Sequence, residues 1–141
     1  MMLKNVNKMK IVYSDPKTGR SAQAVLEGER TSALLNYKIN DVIDGSVIGL
    51  AGCKLKITGG SDKSGFPLTK GIGGSIKTSA LKKLSGPGGK GLYRRFTVRG
   101  SVISVDTEQV NTIIVEYGST PASEIFPEKA KPAAAEAEAA K

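Results

Sequence analysis

Lysine and arginine are the side chains of this sequence that carry usable chemistry, and they are spaced unevenly. Between positions 54 and 100 stand eleven of them (Lys54, Lys56, Lys63, Lys70, Lys77, Lys82, Lys83, Lys90, Arg94, Arg95 and Arg99) against one carboxylate, Asp62. That third of the chain carries a net charge of +10, whereas all 141 residues together carry +8. A field of one sign attracts a polyanion and gives little advantage with a small neutral substrate. The run from Leu92 to Arg99 sharpens the point. If Phe96 and Val98 face inward from a strand, period-2 alternation points Tyr93, Arg95 and Arg99 outward together. Guanidinium groups pair bidentately with phosphate and a tyrosine ring stacks on a base or ribose, so RNA is the expected polyanion. A merely solvated strand face is the alternative, and the charge asymmetry disfavours it.

Other chemistries find few residues to use. Histidine is absent, which removes the commonest general acid/base, the Ser-His and Cys-His pairs and the imidazole metal ligand. Cys53 is the one cysteine, so neither an internal disulfide nor a thiolate metal cage is expected. Asp41 and Asp44 read as turn residues, and no second cluster supplies a base, a nucleophile or a metal site. No cofactor, metal or small-molecule substrate is therefore expected. Two glycine patterns imitate nucleotide sites. GPGGKG at 86–91 fits G-x-G-x-x-G but lacks a preceding strand and a following helix. GIGGSIKT at 71–78 has Ile76 where a P-loop needs its second glycine. A nucleotide-dependent enzyme would have to use that segment and its Lys77.

The elements that must position the basic residues are mostly strands. Lys10–Ser14 and Arg20–Glu27 flank Asp15-Pro16-Lys17-Thr18-Gly19, a turn composition that predicts a hairpin, with Ala22, Ala24 and Leu26 on one parity. A short helix is expected over 31–37, capped by Ser32 and carrying Leu34 and Leu35. After an Asp44-Gly45 turn, Val47, Ala51, Cys53, Leu55 and Ile57 share a parity. This predicts a strand, bent at Gly49 and Gly52, with Cys53 in the core as a small hydrophobe and not as a reactive thiol. Gly59, Gly60, Ser61, Asp62, Lys63, Ser64, Gly65, Phe66 and Pro67 read as a loop, either a tight structural turn or a backbone able to approach a phosphate closely. Thr78 or Ser79 starts an expected helical turn with Leu81 and Leu84, placing Lys82 and Lys83 outside. Strands follow at Leu92–Arg99, Ser101–Val105 and Val110–Tyr117, the last two acidic and on the structural back.

The expected fold is mostly β: a twisted, barrel-like sheet of about six strands with one or two short helices. It fills one domain over 9–118, between a flexible extension at 1–8 and an Ala/Glu/Pro-rich tail at 119–141 that is expected to be disordered and to contribute nothing to a core. No apolar run approaches the ~20 residues that span a bilayer, and the N-terminus lacks a signal-peptide apolar region, so a cytoplasmic location and no membrane partner are expected.

LKITGGSDKSGFPL at 55–68, together with KIVYSDPKTGR at 10–20, KINDVIDGSVIGLAG at 38–52, LSGPG at 84–88 and RRFTVRGSVISVD at 94–106, closely resembles the small-subunit ribosomal protein S6e family of archaea and eukaryotes. The resemblance runs over roughly 9–118, and GGSDKSGFP with TVRG is its most specific part. It implies a non-catalytic, β-rich domain that binds small-subunit rRNA in the ribosome beside neighbouring ribosomal proteins. Lys54, Lys56, Lys63 and Lys70 near the signature loop, and Arg94, Arg95 and Arg99 around TVRG, would then neutralise phosphates. Lys77, Lys82, Lys83, Lys90 and Tyr93 complete the expected surface. Leu68 departs from the family's usual methionine, and Leu92, Tyr93 and Phe96 interrupt a stretch that is commonly more basic. The short Ala/Glu-rich end resembles archaeal members, without the long phosphorylated helix of eukaryotic ones. The other reading of the same charge is a free-standing RNA chaperone or single-strand binder.

Overall fold

The computed structural model describes residues 8–119 together with Ile125 and Phe126. Its backbone is strand-rich. A five-stranded sheet is built from β1 (Lys8–Ser14), β2 (Ser21–Glu27), β3 (Val42–Asp44), β4 (Lys54–Asp62) and β7 (Thr107–Glu116), in the order β2-β1-β7-β4-β3. Among the named strands, β5 (Lys77–Lys83) and β6 (Tyr93–Arg99) pair with each other alone, as an antiparallel arm. One short helix, α1 (Glu29–Ser32), and one 3-10 turn at Gly45–Ile48 complete the described elements.

β1 shows how the sequence dictates the larger sheet. Met9, Ile11 and Tyr13 are buried while Lys8 and Lys10 are exposed, the period-2 signature of a strand with one covered face. Asp15 closes the hairpin to β2 by accepting the Lys17 N–H at 2.8 Å and the Thr18 hydroxyl at 2.8 Å. The long, β-branched β7 lies in the middle, parallel to β1 and antiparallel to β4. Three register shifts along β4 mark bulges, which increase local twist and help to curl the sheet into a half-barrel. Its concave side holds Ile11, Leu55, Ile57, Val110 and Ile114, each contributing about 1.5–3 kcal/mol of hydrophobic stabilisation.

Several sequence expectations are corrected. The helix at 31–37 forms earlier, as α1; Ser32 ends it, and Leu34 is buried just beyond. Val47–Cys53 is a 3-10 turn and loop, not strand, with Gly49 and Gly52 at positive φ; a three-residue β3 precedes it instead. Cys53 is nonetheless buried, its sulfur accepting the Gly118 N–H at 3.3 Å. Gly59–Asp62 continues β4 and is not loop. A Cβ on Gly60 would stand 2.4 Å from the Gln109 carbonyl oxygen, so glycine there permits close strand approach. The predicted helical turn at 78–84 is β5, because cross-strand pairing with β6 replaces a local helix whose apolar residues had no core to cover. Ser101–Val105 contains only an isolated bridge, and β7 is central instead of a back strand.

Lys8, expected in the flexible extension at 1–8, belongs to β1; the rest of that expectation, residues 1–7, lies outside the described residues. Most of the expected tail also lies outside them. Within that tail, Ile125 and Phe126 are exceptions to the expectation of no core contribution: both are buried in the main cluster. The Tyr13 hydroxyl donates to the Ile125 carbonyl at 3.1 Å, and the Tyr13 and Phe126 rings lie 5.5 Å apart. Two apolar residues in a Pro/Ala/Glu background were too sparse to show a periodicity.

Candidate nucleic-acid interface

Pro67–Thr69 joins the two sheets. Leu68 N–H donates to Gly60 at the end of β4, while Thr69 N–H donates to the Arg99 carbonyl and Arg99 N–H to Pro67. The segment 72–76 then packs on the chain after β6, through Gly100 N–H to Ile76 and Ser101 N–H to Ile72. A Cβ on Gly100 would fall 2.0 Å from the Gly74 carbonyl oxygen, which is why TVRG must end in glycine.

The side chain that locks this junction is Arg99. Its Nε donates to Asp62 Oδ2 at 2.9 Å, Nη1 to the Ser75 carbonyl at 2.9 Å and Nη2 to Asp106 Oδ2 at 3.3 Å. Asp62 Oδ1 also accepts the Phe66 N–H at 2.8 Å, so one buried carboxylate closes the signature loop and ties it to TVRG. Burial works against the Asp62 charge, but the Arg99 hydrogen bond and the backbone N–H donors outweigh it and hold its pKa below the ordinary carboxylate value. The Arg99 pKa is raised by the Asp62 hydrogen bond. The outward projection of Arg99 read from strand parity is therefore corrected: its side chain is only 17% exposed, because an acid 37 residues earlier claims it.

The rest of the arm presents charge to solvent. Cross-strand register sets Lys83 against Tyr93 and Leu81 against Arg95, so these four share a face, and all are exposed. Tyr93 and Arg95 thus stand together as the alternation of β6 predicts. Lys82 and Arg94 pair on the opposite face, with Arg94 over the Phe96 ring at 5.7 Å. The expectation that Lys82 and Lys83 share one outer side is corrected by the strand. Lys82 Nζ reaches the Thr69 hydroxyl at 3.5 Å, at the junction. Lys77 opens β5 with its ammonium 4.2 Å from the centroid of the Phe66 ring, and a strand follows it, so the phosphate-loop reading of 71–78 has no helix N-terminus to use. Lys90 is exposed at the glycine-rich tip, where Leu84 N–H donates to Leu92. Lys63 and Lys70 are exposed on the loops at the arm's root and Lys56 is half-buried on β4.

Ion pairing separates these cations. Lys54 is held by Glu116 at 2.8 Å and Arg99 by Asp62 and Asp106. The other nine basic residues of 54–99 have no carboxylate partner among the described residues. Sequence reasoning missed the Asp62–Arg99–Asp106 brace and the Lys54–Glu116 pair; the lone acid in a basic stretch was the available signal for the first. Among the described residues, no cluster of His, Cys, Asp or Glu could hold a metal ion, and no helix is long and apolar enough to cross a membrane.

Comparison with known proteins gives a consistent result. A family model described as ribosomal protein S6e matches residues 9–127. The small ribosomal subunit protein eS6 of Archaeoglobus fulgidus is 44% identical over 126 residues, covering 85% of this chain and 96% of that protein. The protein of the same name from Methanococcus maripaludis strain C5 is 52% identical over 116 residues, 79% of this chain and 90% of its own length. That from Nanoarchaeum equitans is 46% identical over 120 residues, 85% and 90% respectively.

Proposed function

Because this chain belongs to the ribosomal protein S6e family, we propose that it is a structural constituent of the small ribosomal subunit, in the cytoplasm, and binds small-subunit rRNA through the β5–β6 arm and its root. The observation that carries the rRNA part is the set of nine cations without carboxylate partners among the described residues, eight of them on the arm and its root. Placing them against RNA releases counterions from the phosphates, which drives association and makes it salt-dependent. Lys63, Lys70, Lys77, Lys82, Lys83, Lys90, Arg94 and Arg95 supply phosphate contacts, and Lys56, half-buried on β4, adds one from the main sheet. Tyr93, beside Arg95 and Lys83, adds stacking on a ribose or base. Specificity comes chiefly from RNA shape and 2′-hydroxyl contacts, since lysines at this spacing read phosphate geometry and not base edges. The role is architectural: neutralised phosphate repulsion lets rRNA segments and neighbouring ribosomal proteins pack together.

The test is the copy number of the protein in small subunits purified through a high-salt wash and quantified by mass spectrometry. About one copy per particle is expected of a shape-matched component. Near-complete loss marks a passenger held by charge alone and favours a free-standing RNA chaperone.

A further inference from the structure

A groove of about 450 Å³ lies where the arm meets the signature loop, lined by Phe66, Pro67, Lys82, Leu84, Phe96 and Val98, among others. Its floor is apolar and fixed: Val98 is fully buried, and Phe66 is held by the Asp62 carboxylate through its own N–H. Its wall is an aromatic ring that the core does not use, since Phe96 remains 37% exposed although it sits next but one to Val98 on the same strand. Its rim is cationic. Lys82 lines it and Arg94 stands over the Phe96 ring on the same face, while no carboxylate of the described residues pairs with either. A volume in the range of small-ligand sites, about 300–1,000 Å³, admits one nucleoside and excludes a duplex.

We propose that this groove receives one unstacked nucleotide of RNA, its base against Phe96 and its phosphate on Lys82 and Arg94. The assignment rests on the RNA-binding reading above and deepens it. An apolar slot with an aromatic wall gives a base what it loses on leaving a stack, and every base has a π-face, so the site tolerates sequence. The basic rim selects the occupant: a nucleotide brings its phosphate with its base, and an uncharged apolar side chain leaves the rim unsatisfied. Tyr93 lies on the opposite face of β6 and belongs to a different contact.

The experiment uses the full chain and two probes of equal phosphate count: a single-stranded RNA oligomer carrying 2-aminopurine, and a fully paired RNA duplex. Wild-type protein is expected to change the 2-aminopurine fluorescence on binding. Phe96→Ala is expected to abolish that change and weaken single-strand binding by roughly 5- to 100-fold, leaving duplex binding unaltered. Phe96→Trp is expected to restore the fluorescence change and exclude misfolding as the cause. A full fluorescence change in Phe96→Ala, or its loss in Tyr93→Ala instead, overturns the assignment while leaving RNA binding in place. An acidic amphipathic peptide that shifts the Phe96 ring resonances when the RNA oligomer does not also overturns it, in favour of a protein site. Failure of wild-type protein to bind either probe at low salt is a separate result and removes the RNA-binding reading itself.

Discussion

The five-stranded sheet and the two-stranded arm use the same residue types for opposite ends. In the sheet, Lys8 faces Glu27 across the β1–β2 ladder and Lys54 faces Glu116 across β4–β7, at 2.9 and 2.8 Å; Lys10 reaches Glu108 at 3.7 Å. In the arm, Lys83 faces Tyr93, Lys82 faces Arg94 and Leu81 faces Arg95, and no acid answers any of them among the described residues. Like charges placed directly across a ladder destabilise it, so the arm gives up some local stability. Apolar burial runs the same way: Leu55 and Ile57 of β4 are fully buried, whereas Leu81 and Tyr93 are each more than 60% exposed. A cation with a carboxylate opposite belongs to the fold; a cation without one is available to a partner.

The comparison can be broken most forcefully in the sheet. Ile57→Ala removes a fully buried side chain and is expected to cost about 2–5 kcal/mol, read as a lower denaturant midpoint. The same variant, while folded, is expected to keep the wild-type salt dependence of RNA binding. A change in that dependence would blur the division between the two regions.

Arg99→Ala acts at the junction and is expected to cost about 3 kcal/mol, because Asp62 is left buried without its cation. The pH profile gives an independent check. The folded-state pKa of Asp62 is lowered from 3.8, so the stability it contributes is complete above that value and is lost as pH falls through the lower folded value. Asp62→Asn is expected to be less stable than wild type at neutral pH and to flatten the acid limb of the midpoint curve. An acid limb as steep as that of wild type would show that the brace does not carry this stability.

A smaller effect is expected at the far end of the sheet. The Tyr117 hydroxyl donates to the Asp15 carboxylate, and that bond raises the Tyr117 pKa from 10.0 to about 12. A raised value means stability that is present in full below pH 10 and is lost as pH climbs towards 12. Tyr117→Phe is expected to lose this alkaline step; denaturant midpoints taken across that window, compared with wild type, isolate it from lysine titration. Smallest of all, Lys8→Ala breaks an exposed pair and is expected to change stability by less than about 1 kcal/mol. A larger change would show that the sheet's surface pairs do more than the comparison allows.

Local features were legible in the sequence. The Asp15–Gly19 turn, the burial of Cys53, the existence of β6 and the exposure of Tyr93 with Arg95 all follow from turn chemistry or period-2 alternation within a few residues. What stayed hidden depended on distant partners. Gly59 and Gly60 look like a loop in isolation, and only the approach of Gln109 shows why the strand needs glycine at position 60. Residues 78–84 carry a hydroxyl start and an i, i+3 leucine pair, Leu81 and Leu84, which suit a helix equally well until β6 is set beside them. Strand parity placed Arg99 outward because a charged residue normally prefers water; it could not report a buried Asp62 on another strand. The basic surface itself was legible from charge alone, since composition needs no partner to be read.

The most direct test of the division is the salt dependence of binding between small-subunit rRNA fragments and the double variant Lys83→Ala/Arg95→Ala. These two exposed cations share one face of the arm and have no acid partner among the described residues. The log–log slope is expected to flatten by about 0.7 to 0.9 for each phosphate that the variant no longer neutralises, with no fall in the denaturant midpoint. A slope equal to that of wild type would contradict the assignment of the arm to RNA.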